Sequence, residues 1–329
     1  MSRVFVTAKL PGDSVERLSS EHDVTVFEQD RQPTDDELIA GARDCDALIT
    51  MVTDRVTGEI IGACPALRII SNCGVGYENI DVEAATRRGV LVTNTPGVLT
   101  EATADLAWSL ILSAARRVVE ADRFTREGRF TGWSPTLLLG VNVYGKTLGI
   151  FGMGRIGTAV AKRAKGFGMS VIYHNRNPNP DGEAETGARY VEFEALLRES
   201  DFLVVTAPLN EGTRGRFGAP EFSTMKADAV IVNVGRGQII RERELARALK
   251  SGRIGGAGLD VFEREPEIEG ALLELPNAVL LPHIGSASRE TRQIMAEMSI
   301  ESIEAALRGA IPDNLVNPAV LEGRPSGDR

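Results

Sequence analysis

The sequence predicts an α/β protein with two doubly wound parallel sheets. Three observations carry this prediction. Short apolar runs of strand length alternate with polar-faced helical stretches along residues 1–95. A second alternating series begins at Thr147. The first strand-to-helix junction of that second series carries the glycine pattern G-M-G-R-I-G, Gly152–Gly157.

In the first series the strand candidates are Val4–Thr7, Val24–Phe27, Ala47–Thr50, Leu67–Ser71 and Val90–Thr93. Between them lie helical patterns such as Thr34–Arg43, where Thr34 is the N-cap and Glu37 its capping-box partner. Thr100 opens a long helix reaching about Arg123. Its apolar residues spread widely around the axis, which predicts burial by more than one neighbour. Gly140–Lys146 reads as a loop. The second series then offers strands at Leu148–Phe151, Ser170–Tyr173, Phe202–Thr206, Val230–Val234, Gly255–Leu259 and Val279–Leu281. A last helix runs from about Ser288 to Arg308, and Ile311–Pro318 is rich in turn residues. The expected organisation is one domain of residues 99–285 inserted into another made of 1–98 and 286–329.

Composition narrows the class. The chain has 329 residues, 43% hydrophobic and 25% charged, as in a soluble globular protein. Its net charge is -9 and no basic block stands out, which argues against nucleic acid. The apolar stretch Leu106–Ala115 is too short for a bilayer, and Met1–Leu10 reads as a strand, so neither a membrane span nor a signal peptide is expected. Cys45, Cys64 and Cys73 form no C-x-x-C pair. That points to a reducing, cytoplasmic setting and to no metal site.

The glycine pattern gains meaning from its context, because it follows a strand and opens a helix, read as Thr158–Gly166. Gly152 permits a tight turn, Gly154 lets backbone approach a pyrophosphate, and Gly157 lets helix and strand pack closely. The helix N-terminus supplies free N–H groups and a positive dipole end. An NAD site would carry an acid at the end of the next strand. Here that strand ends His174-Asn175-Arg176. Arg176 either pairs with a 2′-phosphate, favouring NADPH with NAD still usable, or is a solvated turn residue.

Hydride delivery to a ketone needs a nearby proton donor, for which histidine suits neutral pH. The chain has three. His22 lies in a polar connection expected to be exposed, and His174 lies beside the adenosine site. By elimination the candidate is His283, which follows a strand and precedes Ile284-Gly285-Ser286. Arg236, in a turn between Gly235 and Gly237, is placed to grip a carboxylate and polarise a carbonyl. The charged segment Asp260–Pro266 follows another strand; a glutamate from it would orient a histidine. Each segment taken alone also reads as a surface turn.

Together these segments resemble the D-isomer-specific 2-hydroxyacid dehydrogenase family. The similarity lies in G-M-G-R-I-G (152–157), N-V-G-R-G (233–237), G-L-D-V-F-E-R-E-P (258–266) and L-P-H-I-G-S (281–286), with N-C-G-V-G-Y-E-N-I-D (72–81) and N-T-P-G-V-L-T-E-A-T-A-D-L-A (94–107). It covers nearly the whole chain, in order. It implies a Rossmann dinucleotide-binding domain inserted into a flavodoxin-like substrate domain. It also implies Arg236, Glu265 and His283 as the catalytic set, and Val75, Gly76, Arg236 and Ser286 at the substrate. Thr103, Gly152, Met153, Gly154, Arg155, Ile156, Gly157, Asn175, Arg176, Pro208, Thr213, Val234 and Asp260 are implied at the cofactor. A homodimer is implied as well, with the helix from Thr100 in its core.

Within the family the chain is most similar to glyoxylate/hydroxypyruvate reductases, on residues 98–107, on Gly132-Trp133-Ser134-Pro135 and on Asn175-Arg176. That similarity puts Trp133 at the partner's substrate site; the alternative is a tryptophan packed on its own chain. Two residues depart from the family pattern. Gly235 replaces the usual Ser or Ala, with a looser turn expected, and Arg241 replaces a common Asp, with an effect expected on capping only. The competing functions are another dehydrogenase of the family, such as one acting on 3-phosphoglycerate, and a dinucleotide-sensing corepressor. The short stretch after Ala319 argues against the corepressor, and against those 3-phosphoglycerate dehydrogenases that are feedback-regulated through an added C-terminal domain.

Overall fold

The computed structural model describes residues 1–322. It divides the chain into two compact units, Met1–Leu99 with the chain from Ser286 on, and Thr100–Gly285. The expected domain range to 329 includes residues 323–329, which lie outside the described residues.

The first unit holds five parallel strands: β1 (Arg3–Val6), β2 (Asp23–Val26), β3 (Ala47–Met51), β4 (Ile69–Cys73) and β5 (Leu91–Thr93), in the order β2-β1-β3-β4-β5. This is the flavodoxin-like doubly wound order. The Thr34 capping box forms as its sequence predicts, with the Glu37 carboxylate returning to the Thr34 N–H at 2.9 Å.

The second unit holds seven: β6 (Thr147–Phe151), β7 (Ser170–His174), β8 (Arg189–Tyr190), β9 (Phe202–Val205), β10 (Val230–Asn233), β11 (Gly256–Leu259) and β12 (Ala278–Leu280). Their order is β12-β11-β10-β9-β6-β7-β8, all pairs parallel. Strands buried on both faces read as unbroken apolar runs. Accordingly Phe202 and Val204 enter one core, and Leu203 and Val205 the other. The chain reverses its direction of winding between β6 and β9, so ligands are expected where those strands end.

Three sequence expectations needed correction. The long helix does not run unbroken to Arg123. It stops at Arg116, Arg117 turns left-handed with φ 53°, and a new helix covers Val118–Arg126. The Ala115 carbonyl would accept from residue 119 in a continuous helix. Instead it accepts from the Val141 N–H at 2.9 Å, where the chain returns past Gly140. A Cβ on Gly140 would lie 2.2 Å from that same carbonyl. The glycine-opened helix starts at Arg155, not Thr158, because Gly157 sits inside its first turn. The two-residue strand β8 is too short to leave a periodic signal. Among the described residues no helix is long and apolar enough to cross a membrane.

Candidate active site

The ends of β10, β11 and β12 bring together the charged residues of the second unit. After β10 the chain turns through Val234–Gly237. The Asn233 carboxamide spans this turn, accepting from the Gly235 N–H and donating to the Arg236 carbonyl, both at 3.0 Å. This corrects the expectation of a loose turn at Gly235. A Cβ there would press on the Ala207 carbonyl at 3.0 Å, so glycine suits the close approach to the chain beyond β9. Gly237 is more constrained still, since its Cβ would fall 1.9 Å from the Phe262 carbonyl.

Beyond β11, Asp260 is buried and its two oxygens accept from the Ile284 and Gly285 N–H groups, each at 2.7 Å. Burial pushes its carboxyl up to about 6, although both N–H bonds and the nearby His283 pull it down. These bonds pin the segment on which His283 takes a left-handed φ of 54°. Such a conformation is uncommon outside glycine and persists where surrounding contacts hold it. The His283 Nδ1 lies 2.8 Å from Glu265 Oε2, and Glu265 Oε1 accepts from the Phe262 N–H at 2.8 Å. Burial alone would raise the Glu265 carboxyl. The hydrogen bond and charge of His283, with the Phe262 N–H, outweigh it and hold the group below its ordinary value. An ionised Glu265 can only accept, so this network assigns the hydrogen to Nδ1 and leaves Nε2 as the outer end of the ring.

The ends of β6, β7 and β9 enclose a cavity of about 590 Å³ in the same unit. Gly152 has φ 102°, and a Cβ on it would meet the Ala207 backbone at 2.4 Å. A Cβ on Gly157 would meet the Gly152 carbonyl at 2.7 Å, whereas one on Gly154 meets nothing. Gly154 is the N-cap of the helix Arg155–Ala164 and offers no side chain to it. The N–H groups of Arg155 and Ile156 have no acceptor among the described residues. Open space over a glycine at an uncapped helix start fits a dinucleotide's pyrophosphate. Met153 is buried, and its N–H donates to Asn175 Oδ1 at 2.6 Å. Its carbonyl accepts from Asn179 at 2.9 Å. Asn175 therefore occupies the position of the missing acid as a brace for the glycine turn. Arg176, Pro208 and Thr213 line the cavity, with Thr213 Oγ1 donating to the Pro208 carbonyl at 2.7 Å. Val234 is buried below the β10 end, and Thr103 is buried close to the position a Cβ on Gly285 would take.

In the first unit, Val75 and Gly76 follow β4. Their carbonyls accept from Asn94 and Asn72 side chains, each at 2.6 Å. Their N–H groups meet no acceptor among the described residues. Ser286 begins the return of the chain to this unit and its carbonyl accepts from the Ser288 N–H at 2.9 Å.

The remaining candidates fall elsewhere. His174 lines the cavity at the end of β7, stacked on Phe151 and bonded through Nδ1 to the Val191 carbonyl at 3.0 Å. His22 is half-buried, not exposed, with Nδ1 shielded from water. Trp133 is 85% exposed, so within this chain it packs on almost nothing. Arg241 makes no side-chain cap and pairs loosely with Glu244 at 3.6 Å.

Sequence reasoning missed Glu242. It is buried, accepts from the Glu263 and Glu269 N–H groups, and so braces the loop that carries Glu265. Burial pushes its carboxyl up in spite of those bonds. It also missed Asn72 and Asn94. A carboxylate or amide on a helix start or strand end has no periodic signature, so nothing short of the fold points to these braces.

Comparison with known proteins gives the family. Residues 108–285 match the model of the D-isomer specific 2-hydroxyacid dehydrogenase NAD-binding domain. The glyoxylate reductase of Korarchaeum cryptofilum is 49% identical over 99% of this chain and 98% of its own. That of Thermococcus litoralis is 48% identical over 98% and 99%. A crystal structure of an NADPH-dependent glyoxylate/hydroxypyruvate reductase from Sinorhizobium meliloti, in complex with NADP and malonate, superposes with a TM-score of 0.86. It is 35% identical, with 97% of each chain covered. On a family match over more than half of its length and relatives aligned nearly end to end, this chain belongs to the D-isomer-specific 2-hydroxyacid dehydrogenases and is an NAD(P)-dependent oxidoreductase.

Proposed function

We propose that the chain reduces small 2-keto acids, glyoxylate and hydroxypyruvate, to 2-hydroxy acids, with NADPH preferred over NADH. The observation that carries the reading is the 2.8 Å bond between Glu265 and His283 Nδ1, which leaves Nε2 available as the proton donor. The bound nicotinamide supplies the hydride. His283 delivers the proton to the carbonyl oxygen, and the Glu265 carboxylate holds the ring in one orientation. Arg236 is assigned to the keto acid's carboxylate and carbonyl oxygen, where a two-point fork suits both. In the first unit the Val75 and Gly76 N–H groups are assigned to carboxylate binding, with Ser286 a further polar contact.

The cofactor preference rests on Asn175 and Arg176. A carboxylate at residue 175 would repel a 2′-phosphate by about 4 kcal/mol at 4 Å and an effective dielectric of 20. Asn175 removes that repulsion, and Arg176 is exposed on the cavity wall. Arg176→Ala should weaken NADPH by roughly ten- to a hundredfold, the worth of a charged hydrogen bond. The decisive measurement is kcat/KM for each cofactor with glyoxylate and with hydroxypyruvate. A wild-type preference for NADH would reject the cofactor assignment, and failure to turn over either keto acid would reject the substrates.

The segment 118–144 exposes Val118, Val119, Phe130, Trp133, Leu139 and Tyr144. Apolar exposure concentrated on one segment marks a contact surface. We assign it to a homodimer in which Trp133 reaches the partner's substrate. Sedimentation gives the oligomeric state, and Trp133→Ala should raise the KM for hydroxypyruvate. A monomeric protein would sink the assignment.

A further inference from the structure

The cavity beside the glycine turn has a second arginine that sequence reasoning passed over. Its wall includes Arg176 and Arg216, and no aspartate or glutamate. In a chain of net charge -9 this is a local reversal of sign. Among the described residues neither guanidinium has a carboxylate partner. Arg216 is nonetheless held in place, its guanidinium carbon 3.7 Å from the centre of the Phe193 ring. Phe193 is itself wedged between Phe151 and Phe217, with ring centres 5.5 and 5.6 Å away.

Stacking uses the face of a guanidinium, whereas its donors lie in the plane. The contact with Phe193 therefore orders a long side chain without consuming a hydrogen-bond donor. Ordering in advance lowers the entropy lost on binding. Phe193 also lies 5.7 Å from His174, the last residue of β7. This puts Arg216 on the side of the cavity where the second strand of a dinucleotide fold presents the adenosine ribose. The pyrophosphate, by contrast, is provided for at the uncapped helix start near Gly154.

We propose that Arg216 is a second reader of a phosphate monoester on the adenosine ribose, gripping the 2′-phosphate together with Arg176. The inference deepens the NADPH reading and rests on it. The cofactor's preference is then set by two guanidinium groups from different loops, one exposed and one pre-ordered on an aromatic ring.

The test measures binding of two cofactor fragments by titration calorimetry. The fragments are adenosine 2′,5′-bisphosphate and adenosine 5′-monophosphate, and the proteins are wild type, Arg216→Gln, Arg216→Lys and Arg176→Ala. In wild type the bisphosphate should bind more tightly. Arg216→Gln should reduce the ratio of the two affinities by about ten- to a hundredfold. Arg216→Lys, which keeps the charge but not the fork, should fall between. A wild-type protein that does not distinguish the fragments removes the NADPH reading, and the proposal with it. A wild-type preference that survives in Arg216→Gln removes the proposal alone. Equal loss of both fragments would assign Arg216 to the adenine base and also overturn it.

Discussion

One sheet edge in the second unit serves two halves with opposite electrostatic designs. At the ends of β10, β11 and β12 the charged groups are paired and braced. Glu265 holds His283, Asp260 holds the next two N–H groups, and Glu242 holds the loop that bears Glu265. At the ends of β9, β6 and β7 the amides are also braced, as Asn175 is on Met153, but the groups suited to an anion are left open. Among the described residues the N–H groups of the helix start lack acceptors, and the two arginines lack carboxylates. The difference teaches what each half is built to do. A proton donor needs one ring orientation and one tautomer before the substrate arrives, and fixed hydrogen bonds provide that. An anion site needs donors whose bonds are completed only by the ligand.

The largest effect should come from the paired half. His283→Ala should lower kcat by roughly 10²–10⁴-fold, the range for loss of a general acid. Cofactor affinity, read by nicotinamide fluorescence, should change little, because the open half is untouched. Near-normal turnover in that variant would break the comparison.

A pair of glycine variants sharpens it. In Gly237→Ala the added methyl collides with the Phe262 carbonyl at 1.9 Å, so backbone must move. A loss of about 1–3 kcal/mol in unfolding free energy is expected, the usual cost of overpacking. In Gly154→Ala the methyl meets no protein atom, so the fold should tolerate it. It occupies the space assigned to the pyrophosphate, and cofactor affinity should drop by at least tenfold, about 1.4 kcal/mol. Thermal unfolding and cofactor titration on both proteins separate the two outcomes. Equal behaviour in the two assays would erase the distinction between the halves.

The smallest effect concerns pH. Asp260 has a folded value near 6 against an ordinary 3.8. A carboxyl raised in this way contributes its stability fully below its ordinary range and loses it as pH rises through the folded value. The stability advantage of wild type over Asp260→Asn should therefore shrink as pH rises from about 4 to about 6. Unfolding curves at several pH values check this. An advantage that grew with pH would mean that the two N–H bonds outweigh burial.

Much of the fold was legible in the chain because its signals are local. Apolar runs bounded by turns located eleven of the twelve strands among the described residues, and the two-residue β8 escaped. The Thr34 capping box and the Gly152–Gly157 turn were readable because their meaning lies in residues a few positions apart. His283 stood out for a different reason, since only three histidines compete for the role.

The tertiary structure alone decided the rest. The break at Arg117 depends on a carbonyl captured by Val141, which lies 26 residues beyond Ala115 in the sequence. Asn175 became a brace on Met153 through the pairing of β6 with β7, which sets residue 175 beside the glycine turn. Glu242 and Arg216 carry no motif. Their roles arise because one meets two N–H groups of a distant loop and the other meets the face of Phe193. Periodicity reports which side of an element is buried. The partner a polar side chain finds depends on which distant chain segment the fold brings within 3 Å, and no local pattern encodes that distance.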